Sequence, residues 1–323
     1  MISFNKAFEH PAGSPIRELF PYLARQGMIS FAGGYPSPSL FDASGLAEAT
    51  SRALSVGPQL LQYGATEGQP SLRNELLLLC STRGVEPADP NQLLVTSGSQ
   101  QAFDLLVRVL VEPGDIVMVE APAYPAAIQT LRLAGASIVE IPMDTQGMQT
   151  DVLADLLGSL PPGQSAKLLY TVPTFSNPRG TTLSDERRLA LCRLARQHGF
   201  IVVEDDPYGE LSFSAAKPQT VYAMSEKEDS RGNPVVYLSS LSKTVAPALR
   251  IGWMVGPAEI VRRCAIAKQT TDMCTSPFTQ MVAAEYLRSG RYATNVSLAS
   301  EEYRSEEHTS ELQSRQYLVC RLL

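Results

Sequence analysis

The residues best suited to chemistry lie in short segments where an apolar run ends in small or polar side chains. The clearest is VVYLSSLSKTVAPALRIGW at 235–253, where Lys243 follows Ser240 and Ser242, and Arg250 comes seven residues later. A partly buried lysine beside a second cation has a lowered pKa and can serve as a nucleophilic amine. VVEDDPYGEL at 202–211 ends an apolar run in Asp205 and Asp206, with Tyr208 close behind. Carboxylates at the end of a buried strand are costly without a cationic partner. TVPTFSNPRG at 171–180 supplies Asn177, held extended by Pro178, whose amide can donate to an oxyanion or simply close a turn. EAPAYPAAIQ at 120–129 supplies Tyr124, which can stack on a flat ligand or pack its own loop. TSGSQQAFDLL at 96–106 places Ser99 and Gln100 where a helix begins, so that free N–H groups and the helix dipole face an anion. A serine there also serves as an ordinary helix cap.

These segments need a scaffold that gathers them. Apolar, β-branched runs recur at 93–96, 116–120, 137–141, 167–172, 200–205, 235–240 and 252–256. Most of the intervals suit helices, and two more helices are expected near 46–55 and 69–83. This alternation predicts an α/β fold with a mainly parallel central sheet covered by helices. In such sheets ligands bind beyond the carboxyl ends of the strands, where the reactive segments fall. A helix is also expected around Pro15–Arg25, another from about Ser297, and a solvated loop over 225–234.

Composition narrows the function. The 323 residues are 44% hydrophobic with a net charge of −6, which offers neither a basic face for nucleic acid nor a polybasic membrane patch. No apolar run approaches the ~20 residues of a membrane helix, and the start lacks a signal-peptide pattern. The five cysteines are scattered without a C-x-x-C pair, so neither a disulfide framework nor a metal site is expected, and a cytoplasmic location fits best. Three histidines leave little room for a histidine base; His198, before Gly199, reads as a helix end. Among the other lysines, Lys227 falls in a charged stretch, Lys217 precedes Pro218 and Lys268 sits on a helix, so Lys243 is the preferred amine.

Taken in order, FAGGYPSP, QYGATEGQPSLR, TSGSQQAFDLL, EAPAYPAAIQ, SNPRG, VVEDDPYGEL and SLSKTVAPALRIGW resemble the class I/II aminotransferases, pyridoxal 5'-phosphate enzymes of fold type I. The similarity is greatest to the branch of 2-aminoadipate and kynurenine aminotransferases and runs from about residue 3 to residue 303. It implies a ping-pong exchange of an amino group between an amino acid and a 2-oxo acid, with Lys243 as the Schiff-base lysine. It further implies that Asp205 pairs with the pyridine nitrogen, the D-x-x-Y spacing to Tyr208 selecting it over Asp206. By the same resemblance Asn177 and Tyr208 bond the phenolic oxygen and Tyr124 stacks on the ring. Ser99, Gln100, Ser240, Ser242 and Arg250 hold the phosphate. Tyr63 reaches the phosphate of a neighbouring subunit, so a homodimer with shared sites is implied. Gly33, Gly34, Asn177 and Arg17 would face the substrate.

The resemblance also implies a division into an N-terminal arm with part of a small domain (1–46), a large cofactor-binding domain (47–285) and the start of a C-terminal small domain (286–304). Residues 305–323 read as a non-native tail, because RSEEHTSELQSR is similar to the translation of a sequencing adapter. Relatives carry a carboxylate-clamping arginine further on, for which no counterpart precedes that tail. A C–S lyase of the same fold type, or the effector-binding domain of a transcriptional regulator, remain the alternatives to a transaminase.

Overall fold

The computed structural model describes residues 2–9, 34–213, 217–229 and 232–320, the last fifteen of these by backbone alone. Its centre is a sheet of eight strands: β1 (Leu93–Thr96), β2 (Ile116–Ala121), β3 (Ser137–Asp144), β4 (Gly147–Met148), β5 (Ala166–Thr171), β6 (Ile201–Asp205), β7 (Val235–Ser240) and β8 (Gly252–Val255). Their spatial order is β1-β8-β7-β6-β5-β2-β3-β4. The pairs β2–β3, β2–β5, β5–β6 and β6–β7 are parallel, whereas β8 runs antiparallel to both β1 and β7. The short β4 closes an antiparallel hairpin on β3 that alternation alone does not announce.

Continuous apolar strands are the signature of a sheet buried on both faces, and β1, β7 and β8 are buried along their whole length. The helices that cover one face are α1 (Ala43–Ser55), α2 (Pro70–Ser81), α5 (Thr150–Ser159), α6 (Asp185–His198), α7 (Val221–Glu228) and α9 (Pro277–Arg288). Those on the other face are α3 (Ser99–Leu110), α4 (Pro125–Leu133) and α8 (Ala258–Thr271). The last helix, α10 (Arg291–Cys320), packs Val296 and Ala299 against Leu211. None of the described helices is long and apolar enough to cross a membrane.

Local signals explain the helix boundaries. The Ser184 hydroxyl accepts from the Arg187 N–H, Asp185 and Glu186 occupy the first turn of α6, and Gly199 ends it at φ 72° after His198. Two expectations need correction. Helix α10 begins at Arg291, six residues before the expected start, where the Arg291 guanidinium pairs with Asp42 at 2.7 Å. The stretch from 225 is not all loop. Thr220 caps α7 through the Ala223 N–H, and the helix runs on to Glu228 because Ser225 is buried beneath Arg196. The helix expected around Pro15–Arg25 lies outside the described residues.

Beneath α6, Arg188 is fully buried and donates to the carbonyls of Leu183, Gln219 and Pro173 and to the Thr174 hydroxyl, with the Glu204 carboxylate 3.8 Å away. Arg188→Met would strand these acceptors and a buried acid. Such losses cost about 3–5 kcal/mol, and denaturant unfolding should register a destabilisation of that size. A change under about 1 kcal/mol would show that water replaces the guanidinium.

Candidate active site

Register gathers the reactive segments. Thr96 and Ser240 both pair with Gly252, one from each side of β8. Because β8 is antiparallel, its first residue lies level with the last residues of β1 and β7. Arg250, just before β8, therefore arrives beside Ser97–Ser99 and Ser240–Lys243. The packing tolerates no side chain at Gly252, where a Cβ would collide with the backbone of Gly98 and Ser99. Gly98 in turn adopts φ 91° with the Arg250 guanidinium against its Cα. Arg250 itself is left-handed at φ 53° and donates through Nη2 to the Ser97 carbonyl at 3.0 Å.

Around this turn stand the other expected groups. Ser99 opens α3 and Gln100 is exposed beside it. The Ser240 hydroxyl accepts from the Ser242 N–H at 2.8 Å, shaping the bend that leads to Lys243. The Lys243 ammonium donates to the Gly34 carbonyl at 2.8 Å and lies 6.0 Å from the centre of the Tyr208 ring. Its pKa is lowered, and the cause is burial rather than the neighbouring cation that the sequence suggested. Asn177 Nδ2 and the Tyr208 hydroxyl meet at 3.3 Å, and burial pushes the Tyr208 phenol up to about 12 against the Asn177 bond. Tyr124 sits at the N-cap of α4 and packs against the same apolar cluster as Tyr208. The peptides Ala121–Pro122 and Asn177–Pro178 are cis. Tyr63 is 76% exposed. Gly33 and Arg17 lie outside the described residues.

Three successive acids, Glu204, Asp205 and Asp206, are buried where β6 ends, the last just past the strand. Side chains alternate along a strand, so the outer two share one face and the middle one takes the other. Glu204 accepts from the N–H groups of Val221 and Tyr222 at the start of α7 and has Arg188 nearby. Asp206 pairs with Arg83 at 3.1 Å and caps the Gly209 N–H. Asp206 thus already has the cation that the sequence left unassigned. Asp205 has none among the described residues. Its Oδ2 accepts from the Tyr170 hydroxyl at 2.8 Å, and its buried Oδ1 has no hydrogen-bond partner within 3.5 Å, although the Ser99 hydroxyl is near enough to favour the carboxylate. Burial raises the Asp205 carboxyl to about 6, opposed by Tyr170 and reinforced by Asp206.

Sequence reading missed Tyr170, Arg83 and Glu120. Glu120 is pushed up to about 7 by burial while bonding the Thr171 hydroxyl and the Val172 N–H. The signal for Glu120 and Glu204 was visible, since each is an acid inside an apolar strand. Nothing in the spacing links Arg83 to Asp206 across more than a hundred residues.

This arrangement has the parts for amine chemistry on a flat, anionic cofactor: a turn of small residues with Arg250 against it, a half-buried amine, a phenol–amide pair and a carboxylate with no cation among the described residues. The comparisons with known proteins agree with it. The profile of the family described as Aminotransferase class I and II matches residues 32–319. An aromatic-amino-acid aminotransferase of Thermococcus litoralis is 39% identical over 94% of this chain and 73% of its own length. A 2-aminoadipate transaminase of Thermus thermophilus is 37% identical, covering 90% and 71% respectively. Among solved structures, the kynurenine aminotransferase of Pyrococcus horikoshii in complex with PMP superposes with a TM-score of 0.87 at 40% identity, over 94% of this chain and 74% of that one. With these matches laid over that geometry, the chain belongs to the class I and II aminotransferases, fold-type I enzymes that use pyridoxal phosphate to exchange an amino group between an amino acid and a 2-oxo acid.

Proposed function

We propose that the turn and strand ends described above form the cofactor site and that the substrates have extended side chains. The observation that carries this reading is Asp205, a buried carboxyl with one oxygen unpartnered and no cation beside it among the described residues. A protonated ring nitrogen supplies both missing elements, so the residues fit the cofactor. Ser99, Gln100, Ser240, Ser242 and Arg250 would hold the phosphate. Tyr124 would cover the ring, and Asn177 and Tyr208 would bond its phenolic oxygen. When bound, pyridoxal phosphate supplies a carbonyl that captures amines and a ring that withdraws electrons from the bond to be broken. Asp205 would keep the ring nitrogen protonated. Lys243 Nζ, with its pKa lowered by burial, becomes a neutral amine more readily than a surface lysine, and in that form it would move the proton at the substrate α-carbon. Gly34 would border the substrate, because its carbonyl already meets Lys243.

The relatives named above act on aromatic amino acids, 2-aminoadipate or kynurenine. Long donors of those kinds are therefore the first to try here. The exposure of Tyr63 supports a homodimer in which that residue completes the partner's site, and the four free cysteines among the described residues support a cytoplasmic setting. The chain would divide at residues 46, 285 and 304 into an N-terminal arm, a large cofactor-binding domain and the start of a small domain.

Three outcomes test this reading. Borohydride reduction of the cofactor-loaded protein followed by peptide mapping should place the pyridoxyl group on Lys243; a label on another lysine refutes the assignment. The second test uses pH. The Asp205 carboxyl has a folded pKa of about 6 against an ordinary 3.8, so its burial penalty is absent below about pH 4 and complete above about pH 6. Cofactor-free Asp205→Asn should therefore be more stable than wild type at pH 8, by up to about 3 kcal/mol. The gap should close as the pH falls to 4, and saturating pyridoxal phosphate should remove it. No pH-dependent gap means that the carboxyl is solvated. In the third test, Lys243→Ala and Tyr63→Phe subunits are mixed. Hybrids should regain activity that neither parent shows, and confirmed exchange without recovery argues against a shared site.

A further inference from the structure

Behind the turn that precedes α3 lies a buried ion pair for which the chemistry above has no use. Lys268, on α8, is completely buried. Its ammonium donates to both Asp272 oxygens at 2.6 and 2.7 Å and to Gln101 Oε1 at 3.3 Å, which occupies all three of its protons. Asp272 also accepts from Gln101 Nε2 at 2.7 Å and from the Ser97 hydroxyl at 3.1 Å. Gln101 Oε1 accepts the Ser97 N–H at 2.7 Å, and the Ser97 carbonyl accepts from Arg250. Every polar group of Ser97 is thus tied down. The Thr96 hydroxyl then fixes the Gly98 carbonyl at 3.0 Å, one residue further on. The same fabric extends outward, because the Ser97 and Thr275 hydroxyls meet at 3.4 Å and Gln280 joins the Thr275 carbonyl to the Gln69 N–H.

We propose that Lys268 and Asp272 act as a positioning clamp for the cofactor phosphate, holding Ser97 so that the Gly98–Gln100 backbone and Arg250 converge on one anion. The inference rests on the reading of that turn as the phosphate site. Packing α8 on α3 does not require an ion pair, since replacing a buried pair with apolar side chains of similar volume is often neutral or stabilising. The partners here converge on the one residue that leads into the anion turn. The clamp carries no net charge, so what it contributes is geometry rather than attraction. Donors held in advance need no reordering when the anion arrives.

The test compares two probes, pyridoxal phosphate and pyridoxal, titrated by absorbance into the cofactor-stripped full chain. Ser97→Ala and the paired replacement Lys268→Met/Asp272→Leu should each weaken pyridoxal phosphate about tenfold or more while changing pyridoxal by less than about threefold, the scale expected when groups that orient a site are removed. Raising the salt concentration should weaken wild type and these variants in parallel, because no charge is lost. Arg250→Met serves as the reference and should lose both affinity for pyridoxal phosphate and its salt dependence. If Arg250→Met shows the phosphate-specific loss and the clamp variants do not, the clamp is overturned. Equal weakening of both probes also overturns it, because that is what general loosening of the site would produce. If no variant distinguishes the probes, Arg250→Met included, the phosphate reading of the turn itself has failed. Should the double replacement not fold, Ser97→Ala, which removes a single hydroxyl, decides the matter.

Discussion

A buried carboxylate without a cation is the constraint around which this molecule is arranged. Burying an isolated charge is expensive, and proteins ordinarily pair it or protonate it. The end of strand β6 and the residue after it present three acids in a row, each in different surroundings. Glu204 lies near Arg188 and Asp206 pairs with Arg83, while Asp205 has hydroxyls for company, Tyr170 on its second oxygen and Ser99 nearby, and no cation among the described residues. Strand alternation separates them onto two faces, so the arginines settle their own acids without reaching the middle one. What distinguishes Asp205 is the company its neighbours keep.

The second constraint is backbone contact. The last residues of β1 and β7 flank the first residue of β8, and that residue must be glycine because the Gly98–Ser99 backbone crosses directly above it. One antiparallel strand in an otherwise parallel block therefore does what a further crossover helix could not. It lets the chain stay at the carboxyl edge between β7 and β8 and so delivers Arg250 beside the turn at the start of α3. The polar fabric around Ser97 stiffens the same turn from behind.

Much of this is legible in the amino-acid sequence. The strand segments and the mainly parallel sheet follow from apolar runs that end in small or polar residues, while the choice of Ser99, Asn177, Asp205, Lys243 and Arg250 as one set comes from the family resemblance. What escaped was long-range pairing. Arg83 lies in an unremarkable Thr-Arg-Gly, and Lys268 was set aside as a helix lysine although it is completely buried. Periodicity reports which face of a helix is apolar. It cannot show that a lysine on that face finds an aspartate one turn later and a glutamine on a neighbouring helix. The early start of α10 was hidden for a similar reason, since the Arg291–Asp42 bond joins segments far apart in sequence. The lowered pKa of Lys243 was foreseen from the wrong cause, because burial is a property of the fold and not of the spacing to Arg250.

Counting the charges around β6 leads somewhere else. Arg83 pairs with Asp206 and Arg188 lies near Glu204, whereas above about pH 6 the Asp205 carboxylate has no cation beside it among the described residues. A ligand that brings the missing positive charge binds the folded chain and not the unfolded one, and such a ligand shifts the folding equilibrium by mass action. For this molecule, vitamin supply and protein abundance then belong to one equation. A cell short of the cofactor holds a larger unfolded fraction for its proteases to remove, and a cell well supplied keeps more of the chain intact.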